Sequence, residues 1–217
     1  MEEDLKKVKS EVRRYIEGEI LPKYKELKGH TDTHIADVIR RSLKIAKDLE
    51  NVNLDMVYVI AAYHDLGRLI DNETHHLESA KMLRADKTLR EFFSDDEIEV
   101  MAEAVEDHRA SLGHEPRNVY GKIVSSADRR TDMIDVLKTM YTYNLKNNSN
   151  FTLEENVENA YEHICRKFAR GGYARAKMYF KDEEYEQMLD EADYYAHNKQ
   201  QFVKRYLEIN NVDVKNL

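Results

Sequence analysis

MVYVIAAYHDLG, residues 56–67, is the stretch that decides the fold. Eight apolar residues from Met56 to Tyr63 run directly into His64 and Asp65, with Gly67 just beyond. The run is far shorter than the roughly 20 residues a membrane helix needs. A segment apolar on nearly every side suits instead the central, buried helix of a helical protein, ending where a glycine tolerates left-handed backbone. Two ionisable side chains at the end of that helix demand partners, because an unpaired buried carboxylate is costly and an ion pair or a metal removes the cost.

Outward from this helix, only seven glycines and two prolines punctuate 217 residues, and charges recur at helical spacing. Both features predict an all-α protein. Helices are expected at about 2–20, 31–50, 53–66, 74–86, 94–109, 118–146, 152–170 and 173–208, the last two allowing a break. Ser94 followed by Glu97 has capping-box spacing, and Ile98, Met101, Ala102 and Val105 then form one stripe that His108 continues. Thr31, Asp32 and Thr33 are candidate caps for a helix carrying His34, Val38, Ile45 and Leu49 near one face, so that His34 sits inward near its start.

The composition narrows the function. With 41% apolar and 35% charged residues, the chain suits one soluble domain, 1–217, with a single core. The start, MEEDLKK, lacks the apolar core of a secretory signal, and Cys165 is the sole cysteine, excluding an intrachain disulfide. A cytoplasmic setting is expected, with no membrane partner. Lys and Arg total 34 against 42 Asp and Glu, a net charge of −8, the wrong sign for non-specific nucleic-acid binding. Neither Gly-x-Gly-x-x-Gly nor a Gly-Lys-Thr/Ser loop is present to cradle phosphate. Seven of nine histidines lie between positions 30 and 114, namely His30, His34, His64, His75, His76, His108 and His114. Imidazole with carboxylate suits a divalent ion such as Mn, Fe, Co, Ni or Zn better than Mg.

The residues that carry chemistry resemble the HD-domain metal-dependent phosphohydrolases. The likeness rests on His34 in HIADVIRRSLKIA, the His64-Asp65 doublet in AAYHDLGR and Asp128 in KIVSSADRRTD, and it covers about residues 30–132. It implies a helical HD core with an N-terminal helix and a C-terminal helical extension over about 150–217. It further implies that His34, His64, Asp65 and Asp128 bind one divalent cation, with a second ion as the alternative known in the family. The substrate implied is a small phosphorylated molecule, nucleotide-like, cleaved at a phosphoester or phosphoanhydride bond. His76 in HHLESAKML and His108 in AVEDHRAS match histidines that complete a second metal site, donate to the scissile phosphate or act as general acid, and Asp65 counts with them among the catalytic groups. Adjacent helical residues diverge by about 100°, so His75 should face away from His76. Arg68 and Lys122 are the preferred cations for substrate, ahead of Arg129 and Arg130. Asp37 departs from the basic or neutral residue many relatives carry.

Other readings compete. A non-catalytic HD domain that binds metal and nucleotide for regulation would keep the same ligands. Seven of the 14 tyrosines follow residue 160, and they form either a stacking platform or, the commoner fate, a helix face packed on the core or on a second copy in a homodimer. The Arg170-Gly171-Gly172-Tyr173-Ala174-Arg175 turn is either a closure over an anion or a plain helix break.

Overall fold

The structure is a computed structural model, and it describes residues 2–27 and 32–213. Gly29, His30 and the expected cap Thr31 lie outside these residues, as does the side chain of Asp32. Among the described residues there are twelve α-helices and no strand, so the protein is all-α. No helix among them is long and apolar enough to cross a membrane. The chain divides into two compact units, 1–129 and 130–217. The boundary falls inside KIVSSADRRTD, between Arg129 and Arg130.

The first unit contains α1 (Glu2–Leu5), α2 (Ser10–Tyr15), α3 (Asp32–Ala46), α4 (Leu54–Tyr63), α5 (His75–Ala85), α6 (Asp95–Glu106) and α7 (Val119–Ala127). Helix α4 is its centre, with nine of ten residues buried and with α3, α5, α6 and α7 packed around it. Asn53 caps its start by accepting from the Asp55 N–H at 3.0 Å. Ser94 and Glu97 form the reciprocal capping box that starts α6, whose stripe Ile98, Met101, Ala102 and Val105 is buried.

The expected helix over 2–20 is interrupted. Val8, Val12, Ile16, Ile20 and Tyr24 are all buried, a repeat of four residues. On an α-helix each such step overshoots a full turn by about 40°. A wider π turn at Ile16–Ile20 absorbs part of that drift and keeps the stripe inward. Tyr24, on the following 3₁₀ turn (Leu21–Glu26), donates its hydroxyl to the Ala62 carbonyl at 2.9 Å, two residues before His64.

The expected helix over 118–146 also ends early. Helix α7 stops at Ala127, and α8 (Met133–Asn147) restarts after Asp132, whose carboxylate accepts from the Ile134 N–H at 2.8 Å. Besides α8, the second unit holds α9 (Leu153–Lys167), α10 (Tyr173–Ala176), α11 (Glu183–His197) and α12 (Lys199–Ile209). The break allowed for over 173–208 is present, and three helices, α10, α11 and α12, fill that stretch. Gly171, at φ +110°, takes a backbone conformation that other residues rarely adopt, which makes the Gly-Gly pair a helix break. Tyr185, Tyr195 and Tyr206 are buried in this unit's own core with Leu137, Ile164, Leu189 and Phe202, and the Tyr206 hydroxyl donates to Asn156 at 2.7 Å. Tyr173 and Tyr194 are exposed.

Candidate metal centre

Five elements of the first unit deliver imidazoles and carboxylates to one place. His34 sits in the first turn of α3, His64 and Asp65 follow the last turn of α4, His75 opens α5, and His108 lies just beyond α6. Asp128 caps the end of α7. The rings form a chain, with centroids 5.7 Å apart for His34 and His64, 5.2 Å for His64 and His108, and 5.3 Å for His108 and His75.

The two oxygens of Asp65 face different histidines. Oδ2 lies 3.6 Å from His64 Nε2 and 3.9 Å from His34 Nε2. Asp128 Oδ1 joins this side, 3.4 Å from His34 Nε2 and 3.9 Å from His64 Nε2. Oδ1 of Asp65 lies 3.2 Å from His75 Nε2 and 3.7 Å from His108 Nε2. Two three-residue groups with metal-ligating atoms within 4.8 Å of one another result, His34, His64 and Asp65 on one side and Asp65, His75 and His108 on the other.

Backbone carbonyls set the tautomers. His64 Nδ1 is 2.8 Å from the Ala61 carbonyl, His75 Nδ1 is 2.9 Å from that of Asn72, and His108 Nδ1 is 2.6 Å from that of Val105. A carbonyl only accepts, so each Nδ1 carries a proton and each Nε2 is the nitrogen turned toward Asp65. His64 Nε2 is buried and makes no hydrogen bond. His75 Nε2 and His108 Nε2 lie 3.3 Å apart, close enough for one cation to take both. Nitrogen and carboxylate donors around such orphaned lone pairs fit a divalent transition metal, held by His34, His64, Asp65 and Asp128 or by Asp65, His75 and His108.

The electrostatics keep the ligands in binding form. Burial pushes the His64 imidazolium pKa down, even though Asp65 and Asp128 pull the other way. Burial, aided by Arg68, pushes His75 down to about 4. For Asp65 burial opposes ionisation, yet His64, His108 and Arg68 together hold its carboxyl well below the usual range. Asp128 follows the same pattern, its burial outweighed by His34 and His64. Arg68 Nε lies 2.8 Å from Asp65 Oδ1, and its NH1 donates to Asn72 at 2.7 Å.

The residues expected from sequence are distributed unevenly. His34, His64, Asp65, Asp128, His108 and Arg68 come together. His76 does not reach Asp65; the half-buried ring has Nδ1 3.4 Å from Arg109 NH1, and His75 takes the inward position instead. The reason is the register of α5. Asp71 Oδ1 accepts from the Glu73 and Thr74 N–H groups and from the Thr74 hydroxyl, a turn that starts the helix at His75 and rotates His75, Ser79, Ala80 and Leu83 inward. Periodicity alone could not separate His75-Ser79-Leu83 from His76-Ala80-Leu83, whereas the Asp71-x-x-Thr74 turn is a local signal that could have. Lys122 is engaged by Glu115 at 2.9 Å, which spends its charge on a surface pair. Arg129 is buried, with NH2 3.2 Å from Ser125 Oγ.

Gly67 lets α5 approach. A Cβ there would stand 2.2 Å from the His75 carbonyl oxygen and 2.5 Å from the Ser79 nitrogen. The Gly67 N–H donates to Ser79 Oγ at 2.7 Å across the same gap. On the other flank, Asp107 is held by Arg117 through Nε at 2.9 Å and NH2 at 3.0 Å, fixing the backbone next to His108. Residues 31–133 match the family model described as HD domain. No curated protein and no solved structure gives a significant match.

Proposed function

We propose, from the premise that residues 31–133 are an HD domain, the module of a metal-dependent phosphohydrolase superfamily, that this protein hydrolyses a phosphoester or phosphoanhydride bond in a small nucleotide-like molecule. The observation that carries the metal-dependent part is the convergence of three tautomer-locked imidazoles on the two oxygens of one buried carboxylate. The phosphohydrolase part follows the domain, and the nucleotide part follows the resemblance of the sequence to small HD hydrolases. His34, His64, Asp65 and Asp128 are assigned to one divalent ion, and Asp65, His75 and His108 offer a second position.

A divalent ion held there supplies a Lewis acid that brings a water toward ionisation at neutral pH and offsets charge on a phosphoryl oxygen. The protein groups prepare the rest. Burial keeps His64 and His75 neutral at working pH, so their lone pairs are available without a prior proton loss. His76 accepts from Arg109 through Nδ1, which leaves its Nε2–H as a donor, and Arg109 is itself held by the Glu73 carbonyl at 2.9 Å. This donor pair and Arg68 are assigned to the phosphate oxygens of the substrate.

The test is release of phosphate and pyrophosphate from nucleoside mono-, di- and triphosphates, dinucleoside polyphosphates and cyclic nucleotides, with Mn, Co, Ni or Mg added. Activity on a subset, lost in Asp65→Ala and Asp128→Ala proteins that keep their helical circular dichroism, is the expected result. Silence of the metal-bound protein across the panel, or unchanged turnover in either variant, would refute the assignment.

A further inference from the structure

Arg41 is 1% exposed, the largest fully buried side chain among the described residues, and it lies seven residues after His34 on α3. Seven residues return a helix to within about 20° of its starting direction, so one face of α3 carries both. The guanidinium does not point at the imidazoles. Its NH1 donates to the carbonyls of Ala127, at 2.6 Å, and Arg129, and NH2 is 3.4 Å from the Ser126 carbonyl. These carbonyls belong to the residues on either side of Asp128. They are groups that the end of α7 leaves without helical donors, since only the Val124 carbonyl is taken by the Asp128 N–H, at 2.8 Å.

We infer that Arg41 is a positioning residue for the metal centre, clamping the backbone around Asp128 so that its carboxylate meets His34 on the same helix. The inference rests on the ligand role proposed above for Asp128. One rigid element then determines both ends of the 3.4 Å approach between His34 Nε2 and Asp128 Oδ1. A planar fork with several donors fits three carbonyls at once, whereas a lysine offers a single nitrogen at a different reach. Asp128 has a non-helical ψ of 55°, so nothing in the helix itself holds the carboxylate in this direction. Groups that orient a ligand from behind typically change metal affinity by about 10–100-fold when removed.

The test is a double-mutant cycle read by Mn affinity, measured by electron paramagnetic resonance of free Mn in wild type, Arg41→Lys, Asp128→Ala and the double variant. Arg41→Lys alone should weaken Mn binding by about 10–100-fold. On the Asp128→Ala background it should change affinity by less than about twofold, because the clamp acts only through that carboxylate. Equal losses on both backgrounds would make Arg41 a general fold residue, and an unchanged affinity in Arg41→Lys would remove the role altogether; either overturns the inference. An Asp128→Ala protein that binds Mn like wild type would instead overturn the ligand assignment beneath it. Arg41→Gln, whose amide keeps a planar donor, takes the place of Arg41→Lys if the latter does not fold, and failure of both to fold with Mn saturating would also count against the inference.

Discussion

Replacing Gly67 by alanine tests whether the close approach of α5 builds half of the metal centre. The added Cβ would meet the His75 carbonyl oxygen at 2.2 Å, the Ser79 nitrogen at 2.5 Å and Glu78 Cβ at 2.9 Å, where ordinary contact begins near 3.4 Å. Two of these obstacles are backbone, so α5 must move by about 1 Å as a body. Overpacking of this kind costs about 1–3 kcal/mol. The same shift strains the buried hydrogen bond from the Gly67 N–H to Ser79 Oγ, and leaving such a donor unsatisfied costs about 1–3 kcal/mol more. The sum, about 2–6 kcal/mol, is a large part of the roughly 5–15 kcal/mol that a domain has. It corresponds to a fall in Tm of roughly 4–24 °C for a chain of this size. Because the helix carries His75 away from Asp65 and His108, Gly67→Ala should also bind Mn less tightly at any temperature where it is folded. Calorimetry with a metal titration reads both. A Tm within 1 °C of wild type, on the order of experimental error, together with unchanged Mn binding would show that α5 does not depend on this contact.

Three further outcomes follow from the geometry. His75→Ala should lower Mn affinity by about tenfold or more, while His76→Ala should leave metal binding intact and raise KM for a phosphorylated substrate; the reverse pattern would return the inward position to His76. In metal-free protein, His64 and His75 take up protons less readily folded than unfolded, so stability should fall as pH drops below 6.5, with the share of His75 fully lost by about pH 4. Asp65 and Asp128, held below their unfolded value of 3.8, contribute stability above that value and lose it beneath. The two effects have the same sign; urea midpoints flat from pH 7 to 4 would contradict the first, and midpoints flat below pH 3.8 the second. Ser94→Ala breaks the α6 capping box and should cost about 1 kcal/mol in urea unfolding, with metal affinity unchanged because His108 is held by Val105 and, through its neighbour, by Arg117.

Local chemistry explains which parts were legible in the sequence. The burial of α4 on all sides, the Ser94-Glu97 box and the stripe after it depend on residues within a few positions of one another, and pattern reading reaches them. The end of α7 does not. Residues 128–132 are charged and polar but compatible with helix, and the group that draws the Ala127 and Arg129 carbonyls away is Arg41, 86 positions before Ala127. His75 and His76 fit the periodicity equally well, and a turn three residues upstream decides between them. Lys122 looked like a cation for substrate because sequence does not show that Glu115 reaches it. Over 173–208 the breaks fall at Lys177–Asp182 and Asn198, where no proline or further glycine announces them.

The division of Asp65 between its two oxygens has a thermodynamic consequence. A carboxylate has one pair of torsions, so an ion drawn to Oδ2 by His34 and His64 also decides where Oδ1 stands relative to His75 and His108. Were ions to occupy both sides, occupancy of one would alter the affinity of the other, and by linkage the alteration would be reciprocal. On the ligand assignment proposed above, the two halves of the centre would form a cooperative unit, coupled through a single side chain at the end of the most buried helix.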